Sequence, residues 1–600
     1  AGDRENHGFA AGDLVSEIFA SLAQKMPFPE ERRITITTAM EGLIERLGSL
    51  PLELTAPFFA EPEREQPGNG ELLVLTIDPL ACKGCGICSQ TCPAAAMEAA
   101  QRTPEVVAMA APLLTRAGVP VLASGDGGEP GSGARLALRM TLAAMEARQT
   151  GVFAEFLAQV QTVQQQITAL IRESLADALP ADDLDALARG LESIDSRQAD
   201  LSVFIGEAEN AIGSSVDAAK LHRLVELARG LADLAWRLEE GRQGFGRSRV
   251  GLVLSAGSAA EWAGGFPHNP FTGPVVVDST GDGAQLAAGL LEGQLRQTTD
   301  DAVLLRKARL EIEHPAEATR HRAELEALRW QELSAEEKTR CPVMLLAGDS
   351  NTLGERGLSQ LANVLGGELP LKALVFADLD LGLAVPPEVE LPVATAPDTT
   401  ANLALLTLSR RSASVAQTSI GQPAHFEESL EQVISYQGPA LLHVHAPSPT
   451  RHGFALEHTL ERARAAVEAR VFPLFRYDPD GKGVFGSRIT LDGNPSPRGG
   501  WAEDADGVSI SPAHWALEES RFDHCFIPWT EDDPEPLPLV QYLQCSAKER
   551  SGKTPVVERR AEAGDAPRFR AAPQLIRVSE DRLHAWRVLQ ELAGLVTPFT

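Results

Sequence analysis

The stretch "ACKGCGICSQTCPAA", residues 81–95, carries the most specific signal in this chain. Cys82, Cys85, Cys88 and Cys92 stand at C-x2-C-x2-C-x3-C-P spacing, the run in which thiolates hold an iron–sulfur cluster and the fourth cysteine commonly serves a second one. Three thiolates two residues apart wrap one face of an iron–sulfur cube, and Gly84 and Gly86 let backbone amides approach its sulfides. Zinc is the rival ligand, but zinc sites usually pair two C-x2-C knuckles across a longer gap. No cysteine precedes Cys82. The partner motif of a two-cluster domain is therefore missing on that side.

Working outward, composition bounds the rest. At 600 residues the chain is long enough for three or four domains. The 54 basic against 83 acidic residues give a net charge of −29, which disfavours nucleic acid as a partner. No apolar run reaches the length of a membrane span; "VVAMAAPLLTRAGVPVLAS" at 106–124 is broken by Pro112, Arg116 and Pro120. The amino terminus lacks a signal-peptide pattern, and the cysteines cluster as a metal site does, so a reducing cytoplasmic setting is expected.

Along the chain, residues 1–70 read as a helical segment ending in a Pro/Glu-rich linker, and residues 71–103 hold the strand "LLVLTID" and the cysteine run. Residues 134–245 read as a helical arm: Val160, Val163, Ile167, Leu170 and Ile171, then Leu221, Leu224, Ala228, Leu231, Leu234 and Leu238, recur at spacings of three and four. That stripe is buried against neighbouring helices or, alternatively, forms a docking surface for another subunit. Residues 104–133 and 246–500 have α/β texture, with strands in "CPVMLLAGD" (341–349), "LKALVFADLD" (371–380) and "PALLHVHAPS" (439–448). Short apolar strands between helical segments predict a parallel sheet covered on both faces. Residues 501–600, with "PWTEDDPEPLPL", read as an irregular extension.

Strand ends in such a sheet are where ligands bind. Gly348, Asp349 and Ser350 close one strand; Asp378 and Asp380 close another, and two carboxylate-bearing strand ends could clamp a divalent ion with a diphosphate. Asp after a strand is equally an ordinary turn residue. In "STGDGAQLAAG" (279–289) a helix start could receive phosphate, or simply be capped by Asp282. His443 and His445 alternate along a strand and share one face, and Cys341, Cys525 and Cys545 are scattered thiols.

The order of these pieces resembles the carboxyl-terminal half of pyruvate:ferredoxin (2-oxoacid:ferredoxin) oxidoreductases: a ferredoxin motif, the "GEP" loop, "GSAAEW", Gly-Asp after a strand, and "VFPLFRYDPDGKG" at 471–483. The resemblance implies a ferredoxin-like iron–sulfur domain followed by an α/β domain of the thiamine diphosphate-binding type, into which the helical arm is inserted. It implies thiamine diphosphate and Mg2+ as cofactors beside [4Fe-4S] clusters, with Asp349 as a Mg2+ ligand and Asp378 and Asp380 near the positions that complete the shell. Departures are as informative. Ala123, Asp126 and Ser258 stand where the family has cysteines for the cluster nearest thiamine, and an alanine cannot ligate iron. Ser350 replaces a glycine, and "LGLAVPP" stands where the family has a substrate-facing loop.

The expectation is thus an oxidoreductase-like electron-transfer subunit with one cluster on Cys82, Cys85, Cys88 and Cys92, the fourth ligand being Cys92, a remote thiol, or none, which would leave a three-iron cluster. A remodelled diphosphate site would leave this chain inactive alone. A companion subunit or a missing amino-terminal half, an electron-carrier protein and an oligomeric state follow as partners. The alternative is a non-catalytic docking subunit whose cluster serves as relay or staple.

Overall fold

In the computed structural model, residues 131–176, 218–242, 246–257, 274–383, 402–504, 507–559 and 567–597 are described, with short pieces elsewhere, among them 9–10, 36–42, 51–53, 73–74 and Glu129. The chain divides into two compact units, Ala1–Leu114 and Thr115–Thr600. In the first unit, β1 (Phe9–Ala10), β2 (Pro51–Glu53) and β3 (Leu73–Val74) pair antiparallel in that order. The cysteine run lies outside the described residues.

The second unit is built on an eight-stranded sheet. Its strands are β4 (Val250–Leu254), β5 (Val275–Val277), β6 (Val343–Asp349), β7 (Lys372–Ala377), β8 (Ser414–Ser419), β9 (Ala440–His445), β10 (Phe475–Tyr477) and β11 (Ile489–Thr490), in the order β11-β10-β8-β9-β7-β6-β4-β5. The pairs from β5 through β8 are parallel, while β10 and β11 close that edge antiparallel. Every residue of β6, β7, β8 and β9 is buried, as parallel strands covered on both faces must be. The chain leaves β4 toward β5 on one side and returns to place β6 on the other. That reversal opens a crevice at the carboxyl ends of β4 and β6.

The three expected strands are present, but β8 is a strand the hydrophobic pattern does not reveal. Its sequence, SVAQTS, is polar yet wholly buried. Its side chains bond inside the fold: Gln417 Nε2 donates to the carbonyl of Pro473 at 2.7 Å, and Ser419 Oγ to that of Ala463 at 3.1 Å. Hydrogen bonding of this kind removes most of the penalty for burying polar groups.

Helix α1 spans Gly133–Ala176 and α2 spans Ala218–Glu239. Val160, Val163, Ile167 and Ile171 pack with Leu221, Leu224, Ala228, Leu231 and Leu234 into one core with Leu305 and Ala308 of α3 (Gly283–Glu313). The apolar stripe is therefore covered from within the chain. Among the described residues no helix is long and apolar enough to cross a membrane.

Residues 501–600 correct the expectation of an irregular extension. They carry a four-stranded sheet, β14 (Phe526–Pro528), β15 (Glu535–Pro538), β16 (Lys553–Glu558) and β17 (Arg568–Ala571), in the order β14-β17-β16-β15, after a short pair β12 (Ala502–Glu503) and β13 (Ser509–Ile510). A 20-residue helix, Pro573–Leu592, follows. The prolines of β15 suggest irregular chain, yet they sit on an edge strand, where a missing N–H is tolerated. Trp515, Phe522, Leu575 and Val578 then join Ala377 and Phe472 in a common core.

Candidate functional site

The carboxyl edge of the sheet collects the residues singled out from the sequence. Gly348 and Asp349 end β6, Ser350 opens a π-helical turn over Asn351–Arg356, and Asp378 and Asp380 follow β7. A Cβ at Gly257, the residue beyond β4 with φ +132°, would come within 2.3 Å of Asp349 Oδ2. Glycine is required there so that the β4 loop can lie against the carboxylate.

The helix start at 279–289 is organised differently from the expectation of a cap by Asp282. Asp282 is the cap residue of α3 but makes no capping side-chain bond. Asp278, at the end of β5, takes that place: its carboxylate accepts from Thr280 N and Oγ1, each at 2.8 Å, and from Gly281 N at 3.1 Å. Burial opposes its ionisation, but these hydrogen bonds and one from Gly283 N hold its pKa below the usual carboxylate value. Of the first amides of α3, Gly283 N is thereby committed to the protein's own anion.

Two arginines answer the other two aspartates. Arg451 Nη1 lies 2.6 Å from Asp378 Oδ1, and its Nη2 lies 2.8 Å from Asp380 Oδ2. Arg521 Nη1 reaches Asp380 Oδ1 at 2.7 Å and the carbonyl of Asp378 at 3.0 Å. Arg521 is anchored in turn by Glu519, a fully buried carboxylate, at 2.7 Å. Burial raises the pKa of Asp378 to about 6 against the pull of Arg451, and Asp349 and Asp380 push the same way. Burial likewise raises Glu519 to about 7.

This arrangement does not fit a Mg2+–diphosphate centre. Mg2+ demands free hard oxygens in a near-octahedral set, whereas both oxygens of Asp380, one of Asp378 and the Asp378 carbonyl already accept from guanidinium groups. Among the described residues no group of three or more His, Cys, Asp and Glu side chains could hold a metal ion.

Ser350, Asp378 and Asp380 also line a cavity of about 100 Å³ together with His443, Arg470 and Phe472. His443 and His445 do share a face of β9, as alternation requires, with ring centres 5.1 and 5.7 Å from that of Phe472. Burial lowers their pKa values to about 4 and about 3, so both imidazoles are neutral. Cys341 and Cys525 are buried free thiols with pKa values raised by burial to about 11, which keeps them protonated and unreactive.

Sequence reasoning missed Arg451, Arg470, Glu519 and Arg521. None stands in a recognisable spacing: Arg451 and Arg521 act on aspartates from a distant part of the chain, Arg470 on a distant loop, and Glu519 matters only through Arg521. Of the "GEP" loop, Glu129 is described: its carboxylate accepts from Ser448 Oγ at 2.7 Å and Thr450 N at 2.6 Å. Those bonds hold Glu129 at residues 448–450, next to Arg451. Ala123, Asp126 and Ser258, like the four motif cysteines, fall outside the described residues.

Comparison with known proteins adds the cysteine run to these findings. Residues 75–98 match the 4Fe-4S binding domain family, and all four motif cysteines fall within the match. The chain is 38% identical over 64 residues to pyruvate synthase subunit PorB of Methanosarcina barkeri (strain Fusaro / DSM 804), a stretch covering 11% of this chain and 22% of that protein. The chain thus spans about a fifth of that curated relative. Among solved structures it is similar to a 2-oxoglutarate:ferredoxin oxidoreductase from Magnetococcus marinus, solved with 2-oxoglutarate, coenzyme A and succinyl-CoA. That likeness has 12% identity and a TM-score of 0.22 over 35% of this chain and 59% of the other. A superposition that loose transfers no residue.

Proposed function

We propose that this chain is an iron–sulfur electron-transfer subunit of a 2-oxoacid:ferredoxin oxidoreductase-like complex. The observation that carries the reading is the four-cysteine run lying inside the match to the 4Fe-4S binding domain family. Cys82, Cys85, Cys88 and Cys92 supply soft thiolate donors at the spacing a cubane takes, and a bound [4Fe-4S] cluster supplies one-electron carrier chemistry. The missing upstream motif and the alanine at position 123 support one cluster rather than three. The partners of this reading are a companion subunit that performs the chemistry and a small electron-carrier protein, assembled as an oligomer in the cytoplasm.

In the same reading the diphosphate site of the α/β domain is remodelled to independence from metal. Arg451 and Arg521 stand on Asp378 and Asp380 where hard-oxygen ligands would have to be free. The chain by itself then performs no oxoacid chemistry. The same ion pairs favour a second reading, a non-catalytic docking subunit whose cluster is a structural staple.

Redox titration of the purified protein separates the two. A relay cluster is reduced and reoxidised reversibly by a small ferredoxin without loss of iron. A staple resists reduction or sheds iron on reduction, and an iron-free protein ends both readings.

A further inference from the structure

The cavity beside β7 has features that neither the iron–sulfur reading nor the aspartate–arginine pairs use. Leu379 and Leu381 (φ 54° each) and Arg470 (φ 58°), three of the non-glycine residues with left-handed backbone, all line it. Each such conformation costs about 1–3 kcal/mol, and such strain gathers at ligand sites.

Arg470 is fully buried, and its acceptors among the described residues are all neutral. Its Nε donates to the carbonyl of Gly500, its Nη2 to those of Pro495 and Ser496, and its face lies 4.1 Å from the centre of the Trp586 ring. Nη1 has no partner among the described residues. Burial lowers its pKa only to about 10, so it remains a cation at neutral pH. A buried cation without a counter-charge is costly, and a cavity at its side is where the counter-charge can enter.

The carboxylates of the lining have cations or solvent of their own, although Asp378 Oδ2 is buried without a hydrogen-bond partner among the described residues. Asp378 and Asp380 are answered by Arg451 and Arg521, and Glu355 is exposed. Arg582 is held by Asp581 at 2.7 Å. Among the described residues, Arg470 is the buried cation of the lining left without a carboxylate.

A second polar group fixes the ligand's chemistry. Gln417 Nε2 donates to the carbonyl of Pro473, so its Oε1 accepts from His443 Nδ1 at 3.3 Å. His443 therefore carries its proton on Nδ1, and its buried Nε2, unpartnered among the described residues, is an acceptor. The occupant must bring a negative acceptor to Arg470 and a donor to His443. Apolar walls at Leu381 and Phe472 and a volume of about 100 Å³ limit its size; at roughly 10–15 Å³ for each water-sized group, it has about six to ten non-hydrogen atoms.

We propose that this cavity binds a small hydroxycarboxylate, with the carboxylate on Arg470 Nη1 and the hydroxyl donated to His443 Nε2. Phosphate is a poorer fit, because a dianion between apolar walls finds one free guanidinium arm. A neutral alcohol leaves Arg470 unanswered.

The test is calorimetric titration of the full, cluster-loaded protein with glycolate, lactate, acetate, inorganic phosphate and ethylene glycol. Saturable binding of glycolate or lactate is expected, with acetate about tenfold weaker because it leaves His443 unpaired. His443→Phe is expected to bring glycolate down to the level of acetate, and Arg470→Met to abolish both. If Arg470→Met does not fold, the glycolate-to-acetate ratio of His443→Phe decides alone. Silence from both hydroxy acids at tens of millimolar, phosphate or acetate binding as tightly as glycolate, or an unchanged ratio in His443→Phe overturns the proposal.

Discussion

Two regions of this molecule gather anions within a few residues of each other, and they balance them in opposite ways. At the end of β7, Asp378 and Asp380 meet Arg451 and Arg521, with Glu519 as a third carboxylate on Arg521, so the chain supplies much of the countercharge itself. In residues 75–98, four cysteines share the stretch with a single basic residue, Lys83. Four thiols that must ionise to act as ligands, beside one lysine, need an outside cation; two aspartates beside two arginines leave no room for one. A cluster of potential ligands therefore says little about metal until the countercharges in the fold are counted.

The contrast is most easily broken at the cysteines. Cys85→Ser removes a ligand for which no local residue substitutes, and iron per chain is expected to fall from about four to near zero by metal analysis. Retention of full iron would mean that the run is not the ligand set.

At the sheet edge the expected effects are energetic. Arg521→Gln leaves Glu519, which is 0% exposed, without its cation and Asp380 with Arg451 alone. Breaking a buried pair on one side costs about 3–5 kcal/mol, readable as a lower denaturation midpoint. Arg451 has a side chain 39% exposed, and Arg451→Gln is expected to cost only about 1 kcal/mol. Equal costs would show that burial does not distinguish the two arginines.

The same edge predicts a pH dependence. An unfolded histidine protonates near 6.5, while His443 in the fold does so only near 4. The unfolded chain binds more protons across that window, so stability falls as pH drops from 6.5 to 4, by about 3 kcal/mol for this residue. Asp378 and Glu519 act in the reverse sense: they bind protons more tightly when folded, and their contribution weakens as pH rises toward about 6 and 7. His443→Phe is therefore expected to flatten the acid limb of the stability curve, and a variant with the wild-type slope would remove His443 from it.

The smallest expected effect sharpens the contrast most. Because guanidinium groups stand in place of a metal, millimolar Mg2+ with thiamine diphosphate is expected to shift the melting temperature by less than about 1 °C. A ligand at a hundred times its dissociation constant contributes about 2.7 kcal/mol, so a shift of several degrees would restore a working diphosphate site.

What could be read from the chain and what could not follows the same line. The cysteine run is legible because all four candidate ligands lie within eleven residues, where spacing alone encodes geometry. The buried strands β6, β7 and β9 are legible because each holds a run of apolar residues, as in 343–347, 373–377 and 440–442. β8 is not, since Gln417, Thr418 and Ser419 are made tolerable by partners such as Pro473, His425 and Ala463 that only the fold brings near. The aspartates were found by their place after a strand. Their meaning was hidden, because Arg451 stands 71 residues and Arg521 141 residues from Asp380. Arg470 and His443 acquire a role only through the cavity they share, and no periodicity announces a cavity.

Iron and acid-labile sulfide counted on the purified chain, with the electron paramagnetic resonance spectrum of its reduced form, meet the proposed function head on. About four irons and four sulfides per chain with a single cubane signal are predicted. A chain free of iron, a zinc site, or two interacting cubanes would contradict it.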